Sequence, residues 1–206
     1  MSELLIELFS EEMPPNLQIS ARTQFKKLFT ESLSSLNLKY TVFEIYSTPT
    51  RLVAFISGLP NKIKIPPTEV KGPKVGVPTS VVENFAKSKG LNVDDLYEKK
   101  LEKGAFYFVK IKGKEINTED ELVKSIPKSL NGISWKKSMK WSDHDLSWGR
   151  PLKSILVIFN KKYIKFKYGH LETVNFTLIE EDSEITQNKI ICFDDYKKVL
   201  KKNSII

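Results

Sequence analysis

The chain has 206 residues, of which 40% are hydrophobic and 28% charged, so it is long enough to bury a core and is not a disordered polymer. Lysine and arginine total 33 against 25 aspartate and glutamate residues, and the formal charge of +8 favours polyanionic partners such as RNA. A lysine-rich coding bias explains the same excess, and composition leaves both explanations open. The single cysteine, Cys192, excludes an internal disulfide, and no Cys/His cluster is available for structural zinc.

The amino terminus does not have the pattern of an export signal. Residues 1–12 include four glutamates where a signal peptide needs a basic start and an unbroken apolar run. No apolar stretch approaches the roughly 20 residues that a membrane-spanning helix needs. We therefore predict a cytoplasmic protein with no membrane partner.

The first 60 residues predict a βαββ unit. Leu4 to Phe9 is an apolar run typical of a strand, and Pro14 and Pro15 end it and suit the first turn of a helix. Apolar residues then recur at helical spacing, at Leu17, Ala21, Phe25, Leu28, Phe29, Leu33 and Leu36. Two strands follow, Tyr40 to Tyr46 and Leu52 to Ser57, with a turn over residues 47–50.

The middle of the chain begins with seven Pro and Gly residues in or just before Asn61 to Pro78, which predict a linker or a long ordered loop without regular structure. A helix is predicted from Thr79 to Gly90, and Asn92 to Glu98 is expected to form one or two helical turns. Ala105 to Ile111 predicts a strand of a hairpin. Thr118 with Glu121 has the spacing of a capping box at the start of a helix, which Pro127 is expected to kink or end.

The last third predicts two more strand regions and a helix. Ser154 to Phe159 and Tyr163 to Lys167 suggest a hairpin with its turn at Asn160 and Lys161. A strand is expected at Ile190 to Phe193, followed by a helix from Asp194 or Asp195. Because the chain stops at Ile206 as this βα unit opens, we expect a fragment of a longer protein.

These elements predict an α/β (α+β) fold with a mixed or antiparallel sheet and packed helices. The main domain is predicted to combine residues 1–64 and 135–175, with an inserted helix and hairpin subdomain at 65–134. Residues 176–206 are predicted to begin a following βα unit.

Motifs for nucleotide chemistry are absent from the sequence, since neither GxxxxGK[ST] nor GxGxxG occurs. Lys71 to Gly76 allows a backbone approach to phosphate, although a proline-rich crossing loop explains the same glycines. His144 has no assignable serine or cysteine nucleophile, so a solvated turn is favoured over a catalytic role.

Trp135, Trp141 and Trp148 are interleaved with basic residues. The segment from Lys136 to Trp141 could supply phosphate contacts and a stacking surface for RNA. The alternative is that Trp135 and Trp141 are core residues whose neighbouring lysines extend into solvent.

A series of short motifs resembles one family along nearly the whole chain. In order they are Glu11-Glu12-Met13-Pro14-Pro15, Ser47-Thr48-Pro49-Thr50-Arg51-Leu52-Val53-Ala54, Lys71-Gly72-Pro73, Phe85-Ala86, Asp94-Asp95-Leu96, Lys137-Ser138-Met139-Lys140-Trp141, Gly149-Arg150-Pro151-Leu152 and Phe193-Asp194-Asp195-Tyr196. The series is similar to the amino-terminal region of the β subunit of bacterial glycine–tRNA ligase.

The resemblance implies a subunit several times longer, with an HD-type domain and an anticodon-binding domain in the absent part. In that family the class II catalytic site, which uses ATP and Mg²⁺, lies on a separate α subunit of an α2β2 tetramer. The β subunit recognises tRNA(Gly) and supports the α subunit. This fragment is therefore expected to need no cofactor or metal of its own.

We predict a non-catalytic region of a ligase that contacts tRNA or the α subunit. The candidate phosphate-binding residues are Arg51, Lys71, Lys74, Lys137, Lys140 and Arg150. The alternatives are an assembly module that does not contact RNA, and an editing hydrolase that acts on mischarged tRNA.

Overall fold

The structure is a computed structural model that describes residues 2–140, 143–181 and 184–206. The chain divides into two compact units. The first contains Met1–Ile63 and Asn117–Ile206, and the second contains Lys64–Ile116. The predicted α/β (α+β) class is confirmed by helices packed on mixed and antiparallel sheets.

The βαββ unit is present at the start of the chain. Its elements are β1 (Ser2–Ser10), α1 (Pro15–Ser35), β2 (Val42–Thr48) and β3 (Arg51–Leu59). Pro15 occupies the first turn of α1, where its missing N–H has no helical partner to lose. The predicted apolar stripe of α1 is buried at Ala21, Phe25, Phe29 and Leu33.

The next segment contains more regular structure than its prolines suggest. It forms β4 (Lys62–Ile65), β5 (Thr68–Lys74), α2 (Thr79–Ser88), β6 (Leu96–Leu101), β7 (Gly104–Ile111) and β8 (Lys114–Asn117). The prediction that residues 61–78 lack regular structure is wrong. Because β5 is an edge strand of the order β5-β7-β6, Pro73 need not donate to a neighbour on its outer side, and a register shift between Lys71 and Lys74 accommodates it.

Two further predictions in the middle of the chain need correction. The helical turns expected over Asn92 to Glu98 reduce to a single 3-10 turn, Val93–Asp95, before β6 begins. Thr118 is the first residue of the next helix and does not cap it; its hydroxyl donates to the Pro60 carbonyl at 2.6 Å.

The remaining elements complete the first unit. They are α3 (Thr118–Asn131), β9 (Met139–Lys140), β10 (Ser147–Trp148), β11 (Leu152–Phe159), β12 (Lys162–Tyr163), β13 (Lys167–Tyr168), β14 (Leu171–Val174), β15 (Phe176–Glu181), β16 (Glu184–Lys189) and α4 (Phe193–Lys202). α3 continues through Pro127, with Ile126 and Leu130 buried on either side of it. The strand predicted at Ile190 to Phe193 is wrong, because α4 already begins at Phe193 and the polar stretch before it forms β16, which pairs with β15.

The main sheet is covered on both faces. Its order is β13-β14-β11-β1-β3-β2, antiparallel except between β11 and β14, with β12 paired to β11. Leu4, Ile6 and Leu8 of β1 belong to the apolar core that includes the buried sides of α1 and α3. Leu5, on the opposite face, belongs to a second core with Ile179 of β15 and with Tyr196 and Leu200 of α4. β1 is therefore a central strand buried from both sides.

This packing differs from the predicted domain boundaries. Helix α3 was predicted inside an insertion ending at residue 134, but its buried Leu122, Ile126 and Leu130 belong to the core of the first unit. Residues 176–206 likewise belong to that unit, where β15 and α4 cover the second face of the sheet. Within the described ranges, no helix is long and apolar enough to cross a membrane.

Candidate nucleic-acid interface

The six predicted phosphate-binding residues are divided between the two units. Lys71 and Lys74 lie in β5 of the second unit. Lys137, Lys140 and Arg150 lie before, in and after the short β9–β10 pair of the first unit, and Arg51 begins β3.

Arg51 has a different environment from the one that we predicted. Only 4% of it is exposed, and its Nε donates to Glu7 Oε1 at 3.0 Å. The guanidinium also lies 4.6 Å from the centre of the Phe9 ring, and it donates to Thr50 Oγ1 and to the carbonyl oxygen of Leu178. Little of this group is open to a phosphate in solvent, and most of its donors bond groups of the protein interior.

Glu7 is the centre of a polar network that sequence reasoning missed. It is fully buried, and its Oε1 accepts hydrogen bonds from Arg51, from Thr177 Oγ1 at 2.9 Å and from Tyr196 Oη at 2.6 Å. Its Oε2 has no hydrogen-bond partner among the described residues. The one acidic side chain inside the apolar run Leu4 to Phe9 was the signal that could have revealed the network.

Burial dominates the electrostatics of this network. It raises the pKa of Glu7, although the positive charge of Arg51 opposes the shift. Burial and the adjacent Glu7 raise the pKa of Tyr196 well above its ordinary value. The network joins β1, β3, β15 and α4, so its hydrogen bonds hold these elements of the fold together.

Lys137, Lys140 and Arg150 are closer to solvent. Lys137 and Lys140 are exposed, and Lys140 Nζ lies 3.4 Å from Asp145 Oδ1. Arg150 is half-buried, and its Nε donates to the Glu12 carbonyl oxygen at 3.2 Å. These three cations remain candidates for phosphate contact.

Two tryptophans near these cations, Trp135 and Trp148, belong to the core. Trp148 is 2% exposed, and the ring of Trp135 lies 4.8 Å from it and packs against the main core. Gly149 is required here, because a Cβ at that position would lie 2.3 Å from the Trp135 ring. The alternative reading of Trp135 as a core residue is therefore confirmed, while Trp141 lies outside the described residues.

The second unit presents a different surface, the face of its three-stranded sheet that carries Phe106, Phe108 and Lys110 of β7. In register with these residues are Tyr97 and Lys99 of β6 and Glu69, Lys71 and Lys74 of β5. Side chains alternate along a strand and cross-strand neighbours share a face, so Tyr97, Phe108 and Lys71 form one row across the sheet. Lys99, Phe106 and Lys74 are aligned in the next row. We call this surface the lysine–aromatic face.

Lysine ammonium groups lie beside the rings of this face. Lys71 Nζ is 3.6 Å from the centre of the Phe106 ring, Lys99 Nζ is 5.2 Å from Phe108, and Lys110 Nζ is 5.7 Å from Tyr97. These distances suit cation–π attraction, while all three lysines remain exposed. The end of the Lys74 side chain lies close to Gly104, where a Cβ would be 3.0 Å from Lys74 Cε.

One carboxylate interrupts the positive charge of this face. Glu69 accepts a hydrogen bond from Lys99 at 2.8 Å and another from the Tyr97 hydroxyl. The bonds from Lys99 and Tyr97 lower the pKa of Glu69, and the bond to Glu69 raises the pKa of Tyr97 to about 12.

The opposite face of the same sheet is covered by α2. A Cβ at Gly72 would lie 2.6 Å from the ring of Phe85, so the helix approaches β5 closely. Val82 and Ala86 of α2 and Val109 of β7 are buried. The apolar side of this small sheet is thereby covered within the unit. On the lysine–aromatic face the lysines are exposed, Tyr97 and Phe106 are half-buried, and Phe108 is buried.

The histidines do not form a site that we can assign to a reaction. His144 and His170 stack with ring centres 3.8 Å apart, and desolvation followed by the charge of His144 lowers the pKa of His170. Within residues 2–140, 143–181 and 184–206, no group of three or more His, Cys, Asp or Glu side chains is arranged to hold a metal ion.

Comparison with known proteins places the chain in a family. The model of the family described as "Glycyl-tRNA synthetase beta subunit" matches residues 4–206. The chain is 34% identical over 209 residues to the glycine–tRNA ligase beta subunit of Rickettsia prowazekii (strain Madrid E) and 33% identical over 210 residues to that of Rickettsia felis (strain ATCC VR-1525 / URRWXCal2). Each match covers 100% of this chain and 31% of the relative, so the chain spans about a third of the relatives' length. The chain therefore belongs to the family of glycyl-tRNA synthetase β subunits, which confirms the resemblance that its motifs had indicated.

Proposed function

We propose that this chain is a non-catalytic part of a glycine–tRNA ligase that helps a separate α subunit attach glycine to tRNA(Gly). Its role is to hold the tRNA, to contact the α subunit, or both, within a tetramer of two α and two β subunits in the cytoplasm. ATP and Mg²⁺ act on the α subunit in this proposal. Support comes from the names of the relatives, which are β subunits of this ligase.

The lysine–aromatic face is the observation that carries the tRNA part of the proposal. Lys71, Lys74, Lys99 and Lys110 are exposed on it, and the carboxylate of Glu69 opposes their charge. Lysines that neutralise phosphates release condensed counterions, which gives sequence-independent affinity for RNA. Lys137 and Lys140 of the first unit supply a second group of exposed cations.

The test uses the complete ligase with both subunits. The variant Lys71→Glu with Lys74→Glu should raise the KM for tRNA(Gly), and the variant Lys137→Glu with Lys140→Glu should do so independently. Each lost phosphate contact should also reduce the slope of log affinity against log salt by about one. Glycine activation by ATP without tRNA should stay unchanged, because the proposal places that reaction on the α subunit.

A matched control changes the same charge elsewhere in the second unit. Lys87 and Lys89, at the end of α2, are also exposed, so Lys87→Glu with Lys89→Glu should leave the KM for tRNA close to that of the wild type. Equal KM values for all the variants and the wild type would rule out the tRNA role.

The assembly role predicts a different result. Ile185 is 60% exposed and Ile191 is also exposed, so an apolar partner surface could bury them. If Ile185→Asp with Ile191→Asp abolishes co-purification with the α subunit while the lysine variants keep tRNA affinity, the chain is an assembly module. Loss of tRNA-independent glycine activation in a correctly assembled lysine variant would contradict the non-catalytic role.

A further inference from the structure

The lysine–aromatic face has more than phosphate contacts to offer, because aromatic rings lie between its lysines. We propose that this face binds unpaired nucleotides of RNA, with bases stacked on Tyr97 and Phe106 and with the backbone phosphates held by Lys71 and Lys99. The inference rests on the proposed tRNA role and specifies which RNA the site takes.

The spacing of the rows suits a single strand. Tyr97 and Phe108 lie in one row, and Phe106 lies in the next row, two residues before Phe108 in β7. Two residues of a strand span about 6.8 Å and neighbouring strands lie about 4.8 Å apart. Successive bases of an extended single strand are separated by a comparable distance, so one nucleotide can occupy each row.

The rings are accessible from the solvent side. Tyr97 and Phe106 are half-buried, and the ammonium groups of Lys110 and Lys71 lie beside their respective rings. A lysine stem is flexible, and its ammonium can leave a ring to meet a phosphate when a base takes its place. Stacking of a base on an aromatic side chain tolerates any sequence, because every base has a π-face.

The charges of the face argue against an apolar protein partner. Lys71 Nζ lies 3.6 Å from the Phe106 ring, and Lys99 and Glu69 form an ion pair of 2.8 Å on the same surface. An apolar partner would remove water from these charges without replacing its hydrogen bonds, which is costly. A single-stranded polyanion matches both features, since it supplies phosphates to the lysines and flat apolar surfaces to the rings.

Duplex RNA matches the face less well. Its bases are stacked on one another inside the helix, and only its backbone and groove edges can meet a protein surface. The lysines would bind both forms of RNA, whereas the rings would bind only the single strand. The difference between the two forms therefore isolates the contribution of the rings.

The experiment measures binding of the complete β subunit to a short single-stranded RNA labelled with a fluorescent base analogue, and to the same strand in a duplex. The variants are Tyr97→Leu and Phe106→Leu, which keep an apolar side chain and remove the flat ring. We expect each to weaken single-strand binding by about tenfold and to change duplex binding little. Tyr107→Leu is the matched control, because Tyr107 alternates with Phe106 and Phe108 and lies on the opposite face of β7.

Thermal unfolding of each variant shows whether the second unit remains folded, and Lys71→Ala gives a second measurement that does not alter the rings. Lys71→Ala should weaken both RNA forms. Unchanged single-strand affinity in folded Tyr97→Leu and Phe106→Leu would overturn the inference while the phosphate contacts, and thus the proposed function, could still stand. If Lys71→Ala changes the affinity for neither RNA form, the inference is overturned and the proposed function loses the support of this face. If an acidic peptide binds with the same affinity as the single-stranded RNA, the face binds proteins and the inference is also overturned.

Discussion

Two sheet faces in this chain carry a cation beside an aromatic ring, but the cation is buried on one face and exposed on the other. On the main sheet, the Arg51 guanidinium lies 4.6 Å from the centre of the Phe9 ring and is covered by residues of β15 and α4. On the lysine–aromatic face, Lys71 Nζ lies 3.6 Å from the centre of the Phe106 ring and is exposed. A cation beside a ring on a sheet face therefore specifies neither stability nor binding by itself, because the layer above the sheet decides between them.

The type of cation agrees with the fate of each face. Arginine has a planar fork of donors, and Arg51 uses it to bond Glu7, Thr50 and Leu178 at once. Lysine is a compact, strongly hydrated charge on a flexible stem, which suits a surface that exchanges partners.

The largest effect is expected from the acid of the covered face. Glu7→Leu leaves Arg51 as an unpaired buried charge and should lower the free energy of unfolding by about 3–5 kcal/mol. Adding Arg51→Met should restore most of that loss, because an apolar pair of similar volume removes both charges. Urea unfolding of the single and double variants measures both changes, and a double variant no more stable than Glu7→Leu would contradict this view of the pair.

An exchange of cations tests the difference between the faces directly. Arg51→Lys should lower the free energy of unfolding by about 2 kcal/mol, because a lysine cannot reach all the acceptors of the guanidinium. Lys71→Arg should change it by less than about 0.5 kcal/mol, as exposed substitutions usually do, and should keep the salt dependence of tRNA binding. Equal losses in the two variants would mean that the second face is structural as well.

Glu69, the acid of the lysine–aromatic face, should not be needed for the stability of the fold. Glu69 is exposed, so Glu69→Gln should leave the unfolding midpoint close to that of the wild type. Removing its charge should raise the affinity for tRNA a few-fold, because Lys99 is then free to meet phosphate. Filter binding at several salt concentrations measures this change, and weaker binding would show that Glu69 positions Lys99 for RNA.

The smallest effect concerns the pKa values of Glu7 and Glu69, which should lie on opposite sides of the ordinary value of 4.5. Burial raises the pKa of Glu7, so the folded chain holds its proton more tightly than the unfolded chain, and this contribution to stability falls as pH rises above 4.5. Lys99 and Tyr97 lower the pKa of Glu69, so its contribution is present above 4.5 and is lost as pH falls through the lowered value. Carboxyl-resolved NMR titration can follow both groups. Two pKa values shifted in the same direction would contradict the difference between the buried and the exposed acid.

The sequence predicted those elements whose signals are local. The helical spacing of Phe25, Phe29 and Leu33 predicted the buried side of α1. Asn160 and Lys161 predicted a turn, and in the structure both residues have positive φ. Its failures involve the pairing of one strand with another, which the residue types of a single segment do not show. Pro73 is compatible with β5 only because that strand lies at a sheet edge, and the polar residues of β16 form a strand only because β15 pairs with them.

The sequence by itself determined the basic charge, the family resemblance and the alternation that places Phe106, Phe108 and Lys110 on one side of a strand, since that alternation is a property of the extended backbone. Only the tertiary structure decided which cations meet solvent. Glu7 and Tyr196 are 189 residues apart in the chain and yet share a hydrogen bond, so no local pattern around Arg51 could show that α4 would help to enclose it. Local geometry is fixed by neighbouring residues, whereas burial is fixed by segments that fold back from far along the chain.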